Sequence, residues 1–81
     1  MFRASNKLIV EFISTGFGQT DYRVTDRNLK EKRIKTDAKT KKIISEEVTE
    51  QEKQALNEFL EYEHQKFLNW CQEKGFDPAI I

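Results

Sequence analysis

Apolar and polar residues alternate near the start of the chain. Over residues 7–13, one side of an extended chain is apolar at every position, and on the other side two isoleucines flank Glu11. A segment that is apolar on one face and half apolar on the other is typical of a strand with neighbours on both sides. We therefore predict a strand over 7–13, in the middle of a sheet.

Three more segments of the first half are predicted as strands, with turn-forming residues between them. The segments are 22–25, 29–36 and 41–45. Two glycines precede the first segment, an Asp-Arg-Asn run precedes the second, and Asp37–Thr40 has the composition of a hairpin turn. The segment 29–36 keeps two interpretations, a sheet strand or a mobile arm, because it contains few apolar residues. If it is a strand, its end forms a hairpin with 41–45.

The strongest local signal is a helix with a recognisable start and end. Thr49 and Glu52 form the pattern of a capping box, in which each side chain bonds the other residue's backbone amide. Gly75 supplies the left-handed residue that commonly ends a helix, and a proline three residues later prevents continuation. We predict one helix over 50–74, about 37 Å long, and a short apolar tail over 76–81.

At about 100° per residue, the apolar residues of this helix fall on one stripe. They are Leu56, Phe59, Leu60, Phe67, Trp70 and Cys71. We expect the whole stripe, including a core Trp70, to lie across the sheet. The predicted fold class is α+β: a small antiparallel β-meander of three to four strands, covered on one face by one long C-terminal helix, in a single domain over 1–81. A helix end that overhangs the sheet is a candidate homodimer surface.

Basic and acidic residues occupy different halves of the chain, although the 14 of each kind balance overall. Residues 1–44 contain 11 basic and five acidic residues, a net charge of +6. Residues 45–81 contain three basic and nine acidic residues, a net charge of −6. This segregation predicts an electrostatic dipole between a basic sheet and an acidic helix.

The chain lacks the residue patterns of an enzyme or a metal site. It has no glycine-rich phosphate loop, no zinc-protease motif and no nucleophile elbow. His64 and Cys71 are about 10.5 Å apart along the helix, too far to act as a nucleophile pair or to share one metal ion. We therefore expect no catalytic residue, no cofactor, no metal and no small-molecule substrate.

Cysteine content and apolar runs predict the location of the protein. Cys71 is the only cysteine and cannot form an internal disulfide, which is typical of a reducing compartment. The longest apolar run of the first strand is three residues, whereas a membrane span needs about 18. We expect a cytoplasmic protein without a membrane partner.

Glu63 is the acidic residue on the apolar stripe, between Leu60 and Phe67. Burying a carboxylate is costly unless it is paired or hydrogen-bonded, so we single out Glu63 as a candidate buried charge. We favour an ion pair with a lysine or arginine of the sheet, or a position at the margin between helix and sheet. The alternative is an acid–base group with a raised pKa.

Two functional classes fit these features. We favour a small non-enzymatic protein-binding or regulatory module that docks on another protein, or on a second copy, through its basic hairpin and its long acidic helix. The alternative is a nucleic-acid-binding protein whose basic hairpin over 30–42 neutralises phosphates. A third interpretation needs no partner: the lysines protect sheet edges and the glutamates are solvated. The candidate binding residues are Lys30, Lys32, Arg33, Lys35, Lys39, Lys41 and Lys42.

Overall fold

The structure is a computed structural model that describes residues 1–79, and these residues form four strands and one helix. In chain order the elements are β1 (Phe2–Arg3), β2 (Ile9–Gly16), β3 (Gln19–Thr25), β4 (Glu31–Asp37) and α1 (Glu50–Lys74). The strands make one antiparallel sheet in the order β1-β2-β3-β4. The predicted α+β meander with a single long helix is confirmed. Residues 80 and 81 of the predicted tail lie outside the described residues.

Two tight turns set the register of the meander. β2 and β3 are joined by Phe17 and Gly18, whose φ angles are 54° and 75°. Positive φ at both positions gives the turn that matches the right-handed twist of paired strands. Between β3 and β4, Asp26 Oδ1 accepts hydrogen bonds from the backbone amides of Asn28 (2.8 Å) and Lys30 (3.0 Å). Because both connections are local, each strand pairs with the next one along the chain.

The strands differ from the predicted segments mainly at their ends. β2 begins two residues later and ends three residues later than predicted, and β3 begins three residues earlier. β1 was not predicted; it pairs Phe2 with Val10 and Arg3 with Ile9, a stretch too short to show a sequence period. The segment 29–36 contributes β4 and is therefore a strand of the sheet.

The segment predicted as a strand over 41–45 forms a single bridge, between Ile43 and Thr36. Lys41 has a φ of 66°, which is incompatible with the extended backbone that a longer ladder needs. The chain therefore runs beside β4 only briefly before it turns toward the helix.

One face of the sheet packs against the first half of α1. The buried apolar residues of this core are Ala4, Leu8, Val10, Tyr22, Val24, Ile34, Ala55, Leu56 and Phe59. Phe59 contacts the rings of Phe2 and Tyr22, each at a centroid distance of 5.7 Å. Removing these side chains from water is the main term that stabilises the fold.

A polar network attaches the start of α1 to the sheet. The Thr49 hydroxyl accepts the Glu52 amide (3.1 Å), and Glu52 Oε1 accepts the Thr49 amide (2.9 Å), which confirms the predicted capping box. Glu52 Oε1 also pairs with Lys32 Nζ at 3.0 Å, and Lys32 Nζ donates to the Glu47 carbonyl. Lys32 belongs to β4, so the network joins the helix cap directly to the edge strand.

The second half of α1 extends past the sheet. A helix of 25 residues is about 37 Å long, whereas a strand of seven residues spans about 23 Å. Trp70 is accordingly 45% exposed and Phe67 36% exposed. The expectation that the whole stripe crosses the sheet, with Trp70 in the core, is therefore wrong, although Cys71 of the same stripe is fully buried. Glu63 is exposed as well, so it is not a buried charge.

Candidate functional site

A groove of about 990 Å³ opens where α1 leaves the sheet, on the side of the β2–β3 turn. Its apolar lining consists of Phe12, Tyr22, Phe59, Leu60 and Phe67. Phe12 belongs to the face of the sheet that α1 covers elsewhere, yet it is 55% exposed. The groove is thus the part of this face that the helix leaves uncovered.

The rim of the groove carries unpaired charge. Glu61, Glu63 and His64 line it on the helix side, and Lys41 lines it opposite. Within residues 1–79, Glu63 pairs with no lysine or arginine, so the predicted ion pair is not formed. Glu63 instead occupies the margin between helix and sheet, the other position that the sequence favoured.

Tyr22 forms the floor of the groove and is buried. Burial raises the pKa of the Tyr22 phenol, the neighbouring Thr36 hydroxyl opposes this effect, and the negative charge of Glu63 adds to it. The phenol therefore stays protonated at neutral pH. An uncharged floor between aromatic walls suits an apolar occupant.

Phe67, Trp70 and Phe76 form a second apolar surface, which we call the aromatic overhang. The Trp70 ring stacks on Phe67 (6.5 Å between centroids) and on Phe76 (5.4 Å). Gly75 ends the helix with a φ of 77°, and the Phe76 amide then donates to the Cys71 carbonyl (2.8 Å). Phe76 is 52% exposed. The cluster is therefore ordered by its own contacts, while much of its ring surface faces solvent.

β4 divides three of the seven candidate basic residues between the two faces of the sheet. Lys32 lies on the covered face and is already paired with α1. Arg33 and Lys35 lie on the open face, where Lys35 stands opposite Asp21 of β3. Arg33 stands opposite Arg23, and Glu11 and Glu31 both pair with Arg23, so this face is of mixed charge rather than uniformly basic.

The other four basic residues lie at opposite ends of the sheet. Lys30 is in the β3–β4 turn, and the remaining three are in the loop that follows β4. The Ala38 amide donates to the Gly18 carbonyl (2.9 Å), which holds this loop beside the β2–β3 turn. The three lysines of the loop are Lys39, Lys41 and Lys42, all exposed.

Phe17 occupies the β2–β3 turn next to these lysines and is fully exposed. A bulky side chain at positive φ is unusual, and asparagine is the residue that this position of the turn favours. We call Phe17 and the three loop lysines the basic tip. The sequence singles out the three lysines as candidate binding residues, and the Ala38–Gly18 hydrogen bond is what brings them beside Phe17, since it joins segments that are distant along the chain.

Neither a cluster of three metal-binding side chains nor a membrane-spanning helix occurs among the described residues. Within residues 1–79, no three histidine, cysteine, aspartate or glutamate side chains are placed to hold a metal ion. The helix of this part of the chain is not long and apolar enough to cross a membrane. The groove, the aromatic overhang and the basic tip are therefore the surfaces from which we argue function.

The chain matches no protein-family model, no curated protein and no solved structure.

Proposed function

We propose that this chain is a non-enzymatic protein-binding module, and that a partner docks in the groove and on the aromatic overhang. One observation carries the proposal: α1 continues its apolar stripe beyond the sheet that covers the stripe's first half. Phe67 belongs to both surfaces, so the groove and the overhang form one continuous docking site.

The amount of exposed aromatic surface supports this proposal. With Phe12, the rings of the overhang expose on the order of 400 Å², a patch size that is frequently functional on a monomer. At about 25 cal/mol per Å², burying this surface contributes about 10 kcal/mol. That gain only offsets the roughly 4–15 kcal/mol that association costs, so stable binding also requires the partner to bury apolar surface of its own and to pair with the charged rim.

Site-specific photo-crosslinking tests the proposal. When benzoylphenylalanine replaces Trp70 in cells that express the chain, irradiation is expected to join it covalently to a protein. The matched control places the same group at Leu29, which is 80% exposed in the β3–β4 turn, where no adduct is expected. Equal adduct yields at the two positions, or no adduct at Trp70, would contradict the proposal.

A second candidate function, binding of single-stranded nucleic acid, is supported by the basic tip. The Ala38–Gly18 hydrogen bond sets three exposed lysines beside an exposed phenylalanine. Lysines neutralise phosphates, and an aromatic ring stacks on a base of any sequence. Among the described residues, none of the three lysines forms an ion pair, so their charge is available to a partner.

Fluorescence anisotropy with single-stranded DNA and RNA at low salt tests this second function. The triple variant Lys39→Glu/Lys41→Glu/Lys42→Glu is expected to abolish binding. The control Lys7→Glu/Arg27→Glu/Lys30→Glu changes the charge equally at the opposite end of the sheet and is expected to retain most of it. For the wild type, log K should fall by about 0.7 per phosphate contact for each unit of log salt. Equal losses of affinity in the two triple variants would show that binding depends on the net charge of the chain and not on the basic tip.

The variant Phe17→Asn is expected to change folding and binding in opposite directions. Asparagine before glycine favours this turn, so the free energy of unfolding should rise by about 0.5–1 kcal/mol. If Phe17 stacks on a base, the same variant loses about 1–3 kcal/mol of binding free energy. Urea unfolding and anisotropy measure the two effects separately. A variant that is more stable and binds as tightly as the wild type would remove Phe17 from the binding surface.

A further inference from the structure

We infer that the partner of the groove and the aromatic overhang is a second copy of this chain, whose α1 packs antiparallel to the first. The inference rests on the proposed function, because it names the occupant of the same surface. The two-fold axis passes between residues 68 and 69, midway along the part of α1 that extends past the sheet.

The exposed half of α1 has the residue spacing of a coiled coil. From Leu60, the stripe continues at alternating intervals of three and four residues through Glu63, Phe67, Trp70 and Lys74. These residues occupy the a and d positions of a heptad, the seam along which two helices interlock their side chains. Leu60 still packs partly against the core, but the seam beyond it is exposed. A second helix with the same spacing fits this seam.

The two charged residues of the seam determine how the second helix is oriented. In an antiparallel pair, each a position of one helix lies beside a d position of the other. The register that sets Phe67 against Trp70 of the second copy also sets Glu63 against Lys74 of the second copy. By symmetry each contact occurs twice, so every seam charge meets an opposite charge next to stacked aromatic rings.

Other arrangements bring charges into unfavourable surroundings. A parallel pair sets Glu63 against Glu63 and Lys74 against Lys74 of the second copy. An antiparallel pair slipped by one heptad sets Glu63 against Phe67 and leaves Lys66 facing Lys66 of the second copy. The inferred register instead brings Lys66 near Glu73 of the second copy. Because like charges in a desolvated seam are strongly unfavourable, charge complementarity selects this register.

The antiparallel arrangement also fills the groove. In the inferred register, the chain just after the second helix, which includes Phe76, reaches Leu60 of the first copy and the exposed ring of Phe12. The end of each α1 then lies over the part of the other copy's sheet that its own helix leaves uncovered. The two sheets lie at opposite ends of the assembly. A two-fold contact of this kind uses the same surface on both copies, so association stops at the dimer.

Sedimentation equilibrium of the full chain, with charge-reversed variants, tests the inference. The wild type is expected to sediment as a dimer at about 100 µM. Glu63→Lys and Lys74→Glu each set like charges against each other and should weaken dimerisation about a hundredfold. The double variant Glu63→Lys/Lys74→Glu exchanges the two charges and should restore the dimer. The control Glu46→Lys makes the same charge change ahead of the helix and should have no effect. All the altered side chains are exposed, so circular dichroism should show an unchanged fold.

Failure of the inference is distinguishable from failure of the proposed function. A wild-type chain that stays monomeric, or a double variant as weak as the single ones, would overturn the second copy as partner. If the photoreactive group at Trp70 then still captures a heavier protein, the docking site stands and its occupant is a different chain. A monomer that captures nothing at Trp70 would overturn both.

Discussion

The variant Leu56→Ala is expected to lose about 3–5 kcal/mol of unfolding free energy, and Trp70→Ala clearly less, about 1–2 kcal/mol. Leu56 is fully buried between α1 and the sheet, so its truncation removes buried apolar area and leaves a cavity. Trp70 is 45% exposed and stacks on Phe67 and Phe76, so its truncation removes a partly solvated ring and leaves no closed cavity. Urea unfolding followed by circular dichroism at low chain concentration measures both.

This comparison tests directly whether the fold needs the second half of α1. Truncating a core tryptophan to alanine lowers the free energy of unfolding by as much as truncating a core leucine, or by more. Equal losses in the two variants would therefore place Trp70 in the core and contradict the overhang. Low concentration matters, because dimerisation stabilises the folded chain and would add to the apparent cost of Trp70→Ala.

The variant Glu52→Ala is expected to lose about 2 kcal/mol of unfolding free energy, since Glu52 closes the capping box and pairs with Lys32. Its neighbour Glu50 is the matched control: it lies in the same helical turn, its side chain is 91% exposed, and it pairs only with Lys53. Glu50→Ala should cost less than about 0.5 kcal/mol. Equal losses of unfolding free energy in Glu52→Ala and Glu50→Ala would mean that Glu52 stabilises the fold only through its negative charge near the start of the helix.

The stability difference between the wild type and Glu52→Ala should narrow in acid. Burial pushes the pKa of Glu52 upward, but the Thr49 amide and the Lys32 ammonium outweigh burial and hold this pKa below its ordinary value of 4.5. A carboxyl whose pKa is lowered by folding stabilises the protein above its unfolded-state pKa, and this stability is lost as the pH falls through the folded-state pKa. Urea unfolding at pH 7 and below pH 4 measures the change. A difference that stays constant would show that ionised Glu52 contributes nothing.

Local signals in the sequence were enough to predict both ends of the helix. Thr49 and Glu52 at the start, and Gly75 at the end, act within one turn of the backbone, so their geometry does not depend on the rest of the fold. The alternation of β2 likewise predicted which of its residues face the core. The two-residue β1 escaped prediction because so short a strand has no period.

The candidate site was harder to predict because it depends on how long the elements are relative to one another. The helical stripe has the same spacing before and after Leu60, and nothing in that spacing reveals where the sheet ends. Trp70 was therefore predicted in the core, but it lies on the part of α1 that extends past the sheet. Glu63 was predicted as a buried charge, but it is exposed at the margin between helix and sheet. The basic tip depends on a hydrogen bond between Ala38 and Gly18, which no local pattern encodes.

The first half of α1 is covered by the sheet and the second half is largely exposed, so substitutions in the two halves have different consequences. Substitutions of the buried residues up to Phe59 change the stability of the fold, because their side chains fill the core. From Glu61 onward most side chains are exposed, apart from the buried Cys71 and from Tyr62, whose ring packs on Phe2 of β1. Substitutions of the exposed residues change what the surface recognises and leave the core intact. Exchanging the exposed residues of the last four turns is therefore expected to change the partner while the free energy of unfolding stays nearly the same.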